Sequence, residues 1–488
     1  MLWSCIVYSR MSTEEKIKQA IELLKTNPNQ SINLLDDVLA DTPHNIDALY
    51  NKGMALAAVK KYQEAINYFL KVLQLSPNTA LAHVSIGNIA NTCGQPLQAI
   101  QRYVAAINID NTLISHFYKW LGTTAQQALR RSVALSEDDV NKAREDMAAA
   151  GKAYEVMSQH PSPEVSEIGA YHAGVLFDMM EHERGIEFLQ KCKSIEPFKT
   201  YAENILKMKG CTHKGSSKKT LIIHAGFPGT AVTWLQSAFF PYMPDTSHIG
   251  ETFFTFYEPN SETAASYKFP PTYSTDMTQS LSKEDFEVEQ FGKIIDASFS
   301  KHDTISISDG SLAFSVDVLA QNLLKIEEEM GVDVKVFIMI RNQRDLIKST
   351  YQKNVKAGLW PELPISEIFE KGHEHIEKYD FLNTYNSLKP FDEKGALLIL
   401  PYEKLLTDNV GCLTVAAAFY GIAEAEVYAE AAVKIPAINR SSKEAESKAS
   451  ELSPDLTEYL SEKQKLFEDS NKQLSQALGI ELEKFGYF

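Results

Sequence analysis

The sequence predicts two architectures in one chain: an all-α helical solenoid over residues 11–210, then an α/β unit with a parallel sheet over residues 220–488. Three observations carry this. Small, aromatic and proline positions recur at a spacing of 34 residues in the first part. The pattern then changes to short β-branched runs separated by amphipathic helical stretches. A loop of small residues follows the first of those runs, and open α/β sheets hold ligands beyond the carboxyl ends of their strands.

The bulk properties bound the possibilities. A chain of 488 residues exceeds what one core organises, so more than one domain is expected. A net charge of -16 excludes a general nucleic-acid binder while leaving room for a local basic pocket. The cysteines (Cys5, Cys93, Cys192, Cys211, Cys412) are scattered without metal-ligand spacing, which implies free thiols in a reducing compartment and no metal site. No apolar run approaches the ~20 residues of a membrane span. The opening MLWSCIVYSR lacks a cleavage site and Met11 begins a more natural start, so residues 1–10 read as an upstream start extension. A cytoplasmic location is expected.

Within the first part, Gly53 and Gly87, Ala65 and Ala99, Phe69 and Tyr103, and Pro43 and Pro77 are each 34 residues apart. Small residues belong where two antiparallel helices touch, a large aromatic fills the gap to the next repeat, and proline stops the second helix. This pattern resembles the tetratricopeptide repeat (TPR), most strongly over 46–79 and 80–113. Ser31, Leu35, Val38 and Pro43 mark a weaker earlier unit. Ala149, Val156 and Pro161 fit a degenerate one with a charged insertion, SEDDVNKARED, and Ala173, Gly185, Leu189 and Pro197 another. Each such Leu or Phe is a packing residue. The resemblance implies a solenoid whose concave surface binds a protein or peptide partner.

The polar segment 211–219 reads as a linker. After it, TLIIH (220–224), TISIS (304–308), VKVFIMI (334–340) and ALLIL (396–400) read as buried parallel strands. TLIIH runs into Ala225-Gly226-Phe227-Pro228-Gly229-Thr230-Ala231-Val232-Thr233-Trp234-Leu235-Gln236. A helix start offers N–H groups and a dipole to an anion. The loop lacks the GK[ST] of a nucleotide P-loop, which disfavours ATP or GTP chemistry.

At Gly226, Pro228, Thr230, Thr233, Leu235 and Gln236 the loop resembles the 5′-phosphosulfate loop of sulfotransferases, G-x-P-K-[ST]-G-T-T-x-L-Q. Arg341 at the end of VKVFIMI, with Ser349 eight residues later, resembles the pair that this family places on the nucleotide 3′-phosphate. LPYEKLLTD and INRSSKEAES resemble later family segments. Together these imply an α/β P-loop-like parallel sheet of the sulfotransferase fold. They imply phosphoadenosine phosphosulfate (PAPS) as donor, its product PAP, and a hydroxyl acceptor such as a carbohydrate. The implied nucleotide site comprises Gly226, Pro228, Gly229, Thr230, Ala231, Val232, Thr233, Trp234, Arg341 and Ser349, with Arg440 and Lys443 in the late loop. The implied general base is Glu251, with His248 second. Tyr402 and Glu403 read as strand-end packing.

The chain departs from the family at one critical point. Gly229 stands where the family has the lysine that neutralises the leaving phosphate, and Ala231 and Val232 replace its next Gly and Thr. After the second predicted strand, Ser308-Asp309-Gly310 stands where relatives often read S-D-E. Loss of a single positioned donor costs about 10²–10³ in rate. Lys218, Lys219, Arg440 and Lys443 are the candidate substitutes. Two readings follow: an active PAPS-dependent sulfotransferase, or a degraded sulfotransferase-like domain that binds a nucleotide or a partner.

Overall fold

The computed structural model describes residues 11–134, 140–180, 183–214, 218–227, 229–250, 252–257, 264–269, 275–356, 358–359, 361, 363–370, 375–435 and 454–488. Pro228, Glu251, Arg440 and Lys443 lie outside these. The chain divides into two compact units, drawn chiefly from Met1–Leu135 with Asn141–Phe198 and from Lys199–Phe256 with Ala264–Phe488. The division falls after Phe198, so all but the first residue of the helix Phe198–Lys209 belongs to the second unit.

Helices of the first unit follow the 34-residue pattern. Ile46–Ala58 packs on Tyr62–Leu75, and Ala80–Thr92 packs on Pro96–Ile109. Starts are set locally. Ser12 and Glu15 form a reciprocal capping box, and Asn27 and Asn45 accept from the N–H groups of Gln30 and Ala48. A Cβ on Gly53 would lie 2.7 Å from the Phe69 ring, and one on Gly87 would lie 2.7 Å from the Tyr103 ring. The shared spacing is therefore one close contact repeated. Phe69 covers Gly53 of its own repeat as well as clustering with Ala82, Ile86 and Ile89 of the next.

The charged stretch expected as an insertion is partly helix. Residues 140–146 open the helix Val140–Met157. Its Asp146, fully buried, takes the Arg131 Nε–H at 2.6 Å, so one of these charges packs inward as half of an ion pair.

The second unit is built on a parallel five-stranded sheet of order β2-β5-β1-β6-β7. The strands are β1 (Thr220–Ala225), β2 (Thr246–Gly250), β5 (Thr304–Asp309), β6 (Asp333–Ile340) and β7 (Leu397–Pro401). Strands β3 (Thr252–Tyr257) and β4 (Ala264–Phe269) pair separately. The four expected strands are all present, and β2 is additional. Its TSHIG carries a single aliphatic residue, and it lies at the sheet edge, where no long apolar run is required.

The two faces of the sheet differ in chemistry. Leu221, Ile223, Ile305, Ile307, Val334, Val336 and Ile338 join one apolar core with helices Val288–Phe299, Val316–Met330 and Phe381–Asp392. Alternate residues, including His224, Ser306, Ser308 and Phe337, face an aromatic cluster of Phe239, Phe240, Tyr420 and Tyr428. Of the expected linker, Thr212–Lys214 docks against this unit: Lys214 N–H bonds the Gly421 carbonyl, and Ala423 N–H bonds that of Thr212.

Candidate functional site

Because β1 sits between β5 and β6, strands that succeed each other in this sheet, the chain crosses over β1. The crevice beyond its carboxyl end is a topological switch point. Two segments meet there: the loop after β1 and the start of the segment after β6.

The loop makes a tight turn. Thr230 N–H donates to the Phe227 carbonyl at 3.1 Å, and Gly229, third of the four residues, has φ +90°. Glycine enters that positive-φ region at no steric cost. The Thr230 hydroxyl donates to the same carbonyl at 2.6 Å and is buried. Gly226 is small for another reason: its Cβ would overlap Val232, which fills the space beneath the loop. Gly226 N–H bonds the Asp309 carbonyl, and the Asp309 carboxylate accepts from Ser311 and Thr278. Gln236 reaches the Ser308 carbonyl at 3.1 Å, pinning the short helix Val232–Ala238 to β5.

Arg341 leaves the end of β6 and donates from Nη1 to the Gly229 carbonyl at 3.1 Å. Its guanidinium lies 5.0 Å from the centroid of the Tyr402 ring. Ser349, on the helix Gln343–Lys356, comes to the same place: a Cβ on Gly229 would stand 3.1 Å from Ser349 Oγ and 3.6 Å from Arg341 Nη1. The fold thus brings Gly229 to Arg341 and Ser349, two residues more than a hundred positions further along the chain. Arg341, Ser349, Thr233 and Trp234 are half-buried, within reach of solvent.

Other expected residues go elsewhere. Lys218 and Lys219 precede β1, at the opposite end of a strand roughly 17 Å long from the loop. Lys218 pairs with Asp333 and Lys219 lies over the Phe299 ring, so neither replaces the family lysine. His248, on β2, stacks on Phe240 at 5.3 Å, and both ring nitrogens are sealed from solvent. Burial pushes its pKa down to about 3. A general base titrates near working pH and reaches the proton it removes. His248 does neither, and it is a core residue.

Ala231 precedes the short helix with φ 59° and ψ 17°, the left-handed conformation that costs an L-residue roughly 1–2 kcal/mol. Ala231→Gly is expected to stabilise the protein by about 1 kcal/mol, seen as a higher midpoint in urea with an unchanged slope. A lower midpoint would contradict the strained geometry.

Sequence reasoning did not foresee Tyr402 beneath Arg341, nor Glu403 accepting the Asn342 N–H at 2.9 Å. The LPYEK segment did single out both positions, as packing residues.

The tetratricopeptide repeat family model matches residues 46–79, the helix pair in which Phe69 covers Gly53. These residues are similar to a TPR unit. Among solved structures, the chain is similar to a sulfotransferase from Alicyclobacillus acidocaldarius at 16% identity and TM-score 0.33, covering 56% of this chain and 99% of that one. It is similar to the TPR domain of P58(IPK) at 12% identity and TM-score 0.20, covering 94% and 99%. It is also similar to an O-GlcNAc transferase mutant from Thermobaculum terrenum at 10% identity and TM-score 0.20, covering 98% of each chain. Likenesses of this size carry no functional weight. Among curated proteins, no sequence matches this chain. Among the described residues, no helix is long and apolar enough to cross a membrane.

Proposed function

We propose that the second unit binds PAPS, or its product PAP, and that the chain is a PAPS-dependent sulfotransferase acting on a hydroxyl of a carbohydrate or other small acceptor. The TPR unit supplies a surface for a protein partner or for substrate recruitment. One observation carries this reading: the convergence of Arg341 and Ser349 on Gly229 of the loop. A guanidinium with several donors beside a hydroxyl suits a phosphate monoester, which accepts hydrogen bonds at three oxygens. Arg341 and Ser349 would hold the 3′-phosphate, and the Gly226–Trp234 loop would face the 5′ end.

When bound, PAPS supplies an activated sulfuryl group. Transfer to an acceptor oxygen breaks the bridging S–O bond, leaves the electron pair on the 5′-phosphate and releases the acceptor proton to a base. The chain's contribution is chiefly positioning and positive charge. Glu251, the first choice for base, lies outside the described residues.

A second reading, a catalytically degraded nucleotide-binding domain, is favoured by Gly229. A turn that holds it at φ +90° leaves no relaxed place for a lysine side chain. Incubation with radiolabelled PAPS and a panel of hydroxyl acceptors separates the two. Acceptor labelling that Arg341→Ala removes supports the transferase. Nucleotide binding without turnover on any acceptor supports the degraded domain.

A further inference from the structure

We propose that the C-terminal hook, acting through Tyr487 and Glu403, positions Arg341 and thereby sets a preference for a 3′-phosphorylated nucleotide over its 5′-monophosphate counterpart. This deepens, and rests on, the nucleotide reading given above.

The hook is the chain end after the helix Glu468–Leu478. A short 3-10 turn, Leu482–Phe485, leads to Gly486 at φ +73°, which turns the chain so that Tyr487 is fully buried. The Tyr487 hydroxyl donates to Glu403 Oε2 at 3.0 Å, and Glu403 Oε1 accepts the Asn342 N–H at 2.9 Å. One carboxylate therefore joins the chain end to the residue that follows Arg341. The Asn342 side chain in turn donates to the Gly486 carbonyl, which also accepts from Gln464.

A second tie secures the next residue. Buried Asn471 donates to the Tyr487 carbonyl at 2.9 Å and exchanges amide hydrogen bonds with Gln343 at 2.8 and 3.1 Å. Both residues after Arg341 are thus fixed by the hook, while the guanidinium itself meets softer restraints, among them one bond to the Gly229 carbonyl and the Tyr402 ring. The bearing of Arg341 is set from behind.

Polar networks of this kind are costly to bury and, when every member is satisfied, specify one arrangement. A hook needed only for stability is served as well by apolar packing, which Tyr487 already provides against Phe381. Glu403 shows the tension. Burial raises its pKa, and the bonds from Asn342 and Tyr487, with the nearby Arg341 charge, oppose that rise. Its charge state is thereby tied to the guanidinium that the hook orients.

The test is calorimetric titration of the full chain with PAP and, separately, with 5′-AMP, which lacks the 3′-phosphate. Tyr487→Phe keeps the buried ring and removes one hydrogen bond. It is expected to weaken PAP binding about 10-fold while leaving 5′-AMP binding within twofold of wild type. Gln464→Ala, a half-exposed change at the outer edge of the hook, is expected to lower the PAP/5′-AMP ratio about two- to threefold with the fold intact. An equal loss for both nucleotides, or an unchanged ratio in both variants, overturns the positioning role. A wild-type protein that binds PAP no better than 5′-AMP overturns the nucleotide reading as well, and that outcome is read before any variant is made.

Discussion

Arg341→Ala is expected to lower affinity for PAP about 100-fold, close to 3 kcal/mol, while affinity for 5′-AMP changes little. The magnitude follows from what the guanidinium offers. It is charged, planar and placed beside the Ser349 hydroxyl, so a 3′-phosphate bound there would receive charge-assisted bonds that water screens only in part. Arg341→Lys keeps the charge but not the fork, and is expected to recover about a tenth of the wild-type affinity. Folding should survive either change, because the single bond from Arg341 to the Gly229 carbonyl contributes about 1 kcal/mol. Unchanged PAP affinity in Arg341→Ala would remove the residue on which the site was built.

Acid is expected to unfold the second unit well before its carboxylates are all protonated. His224 and His248 lie on the aromatic face of the sheet, and burial pushes each pKa down to about 3. For His224 the neighbouring His248 adds to the effect. Both histidines are neutral in the folded chain and take up a proton when unfolded near the ordinary value of 6.5. The stability tied to them is complete above pH 6.5 and is lost as pH falls from there towards 3. The slope is about 1.4 kcal/mol per pH unit for each histidine. Between pH 6.5 and 5 the pair removes about 3–4 kcal/mol, a large share of a typical total of about 5–15 kcal/mol. His248→Phe, matched to its stacking partner Phe240, is expected to halve that slope in urea titrations at stepped pH. A slope equal to wild type would show that the ring does not titrate on unfolding.

The parts of this molecule that were legible in sequence are those whose physics is local or repeated. Gly53 and Phe69, followed 34 residues later by Gly87 and Tyr103, announced the helix pairs because one steric contact recurs. The strands β1, β6 and β7 were readable from their apolar runs, and β5 from the alternating isoleucines of TISIS. TSHIG escaped because an edge strand with His and Ser facing an aromatic cluster has no such signature.

The site divided along the same line. The loop and the Arg341–Ser349 pair stood out from their strand contexts, and the structure brings them within contact distance. Gly229 was weighed as a missing lysine, although Pro228-Gly229 also spelled out a turn; the positive φ makes that second meaning the structural one. The exclusion of Lys218 and Lys219 needed the strand direction. The tie from Tyr487 to Glu403 joins residues 84 apart with no shared pattern, and such a contact has no sequence signal.

The most direct measurement is calorimetric titration of the wild-type chain with PAP at moderate salt. Saturable one-to-one binding, tighter than that of 5′-AMP by tenfold or more, is the expected result. Heats indistinguishable from dilution at millimolar PAP would contradict a nucleotide site at Gly229, Arg341 and Ser349, whatever the acceptor.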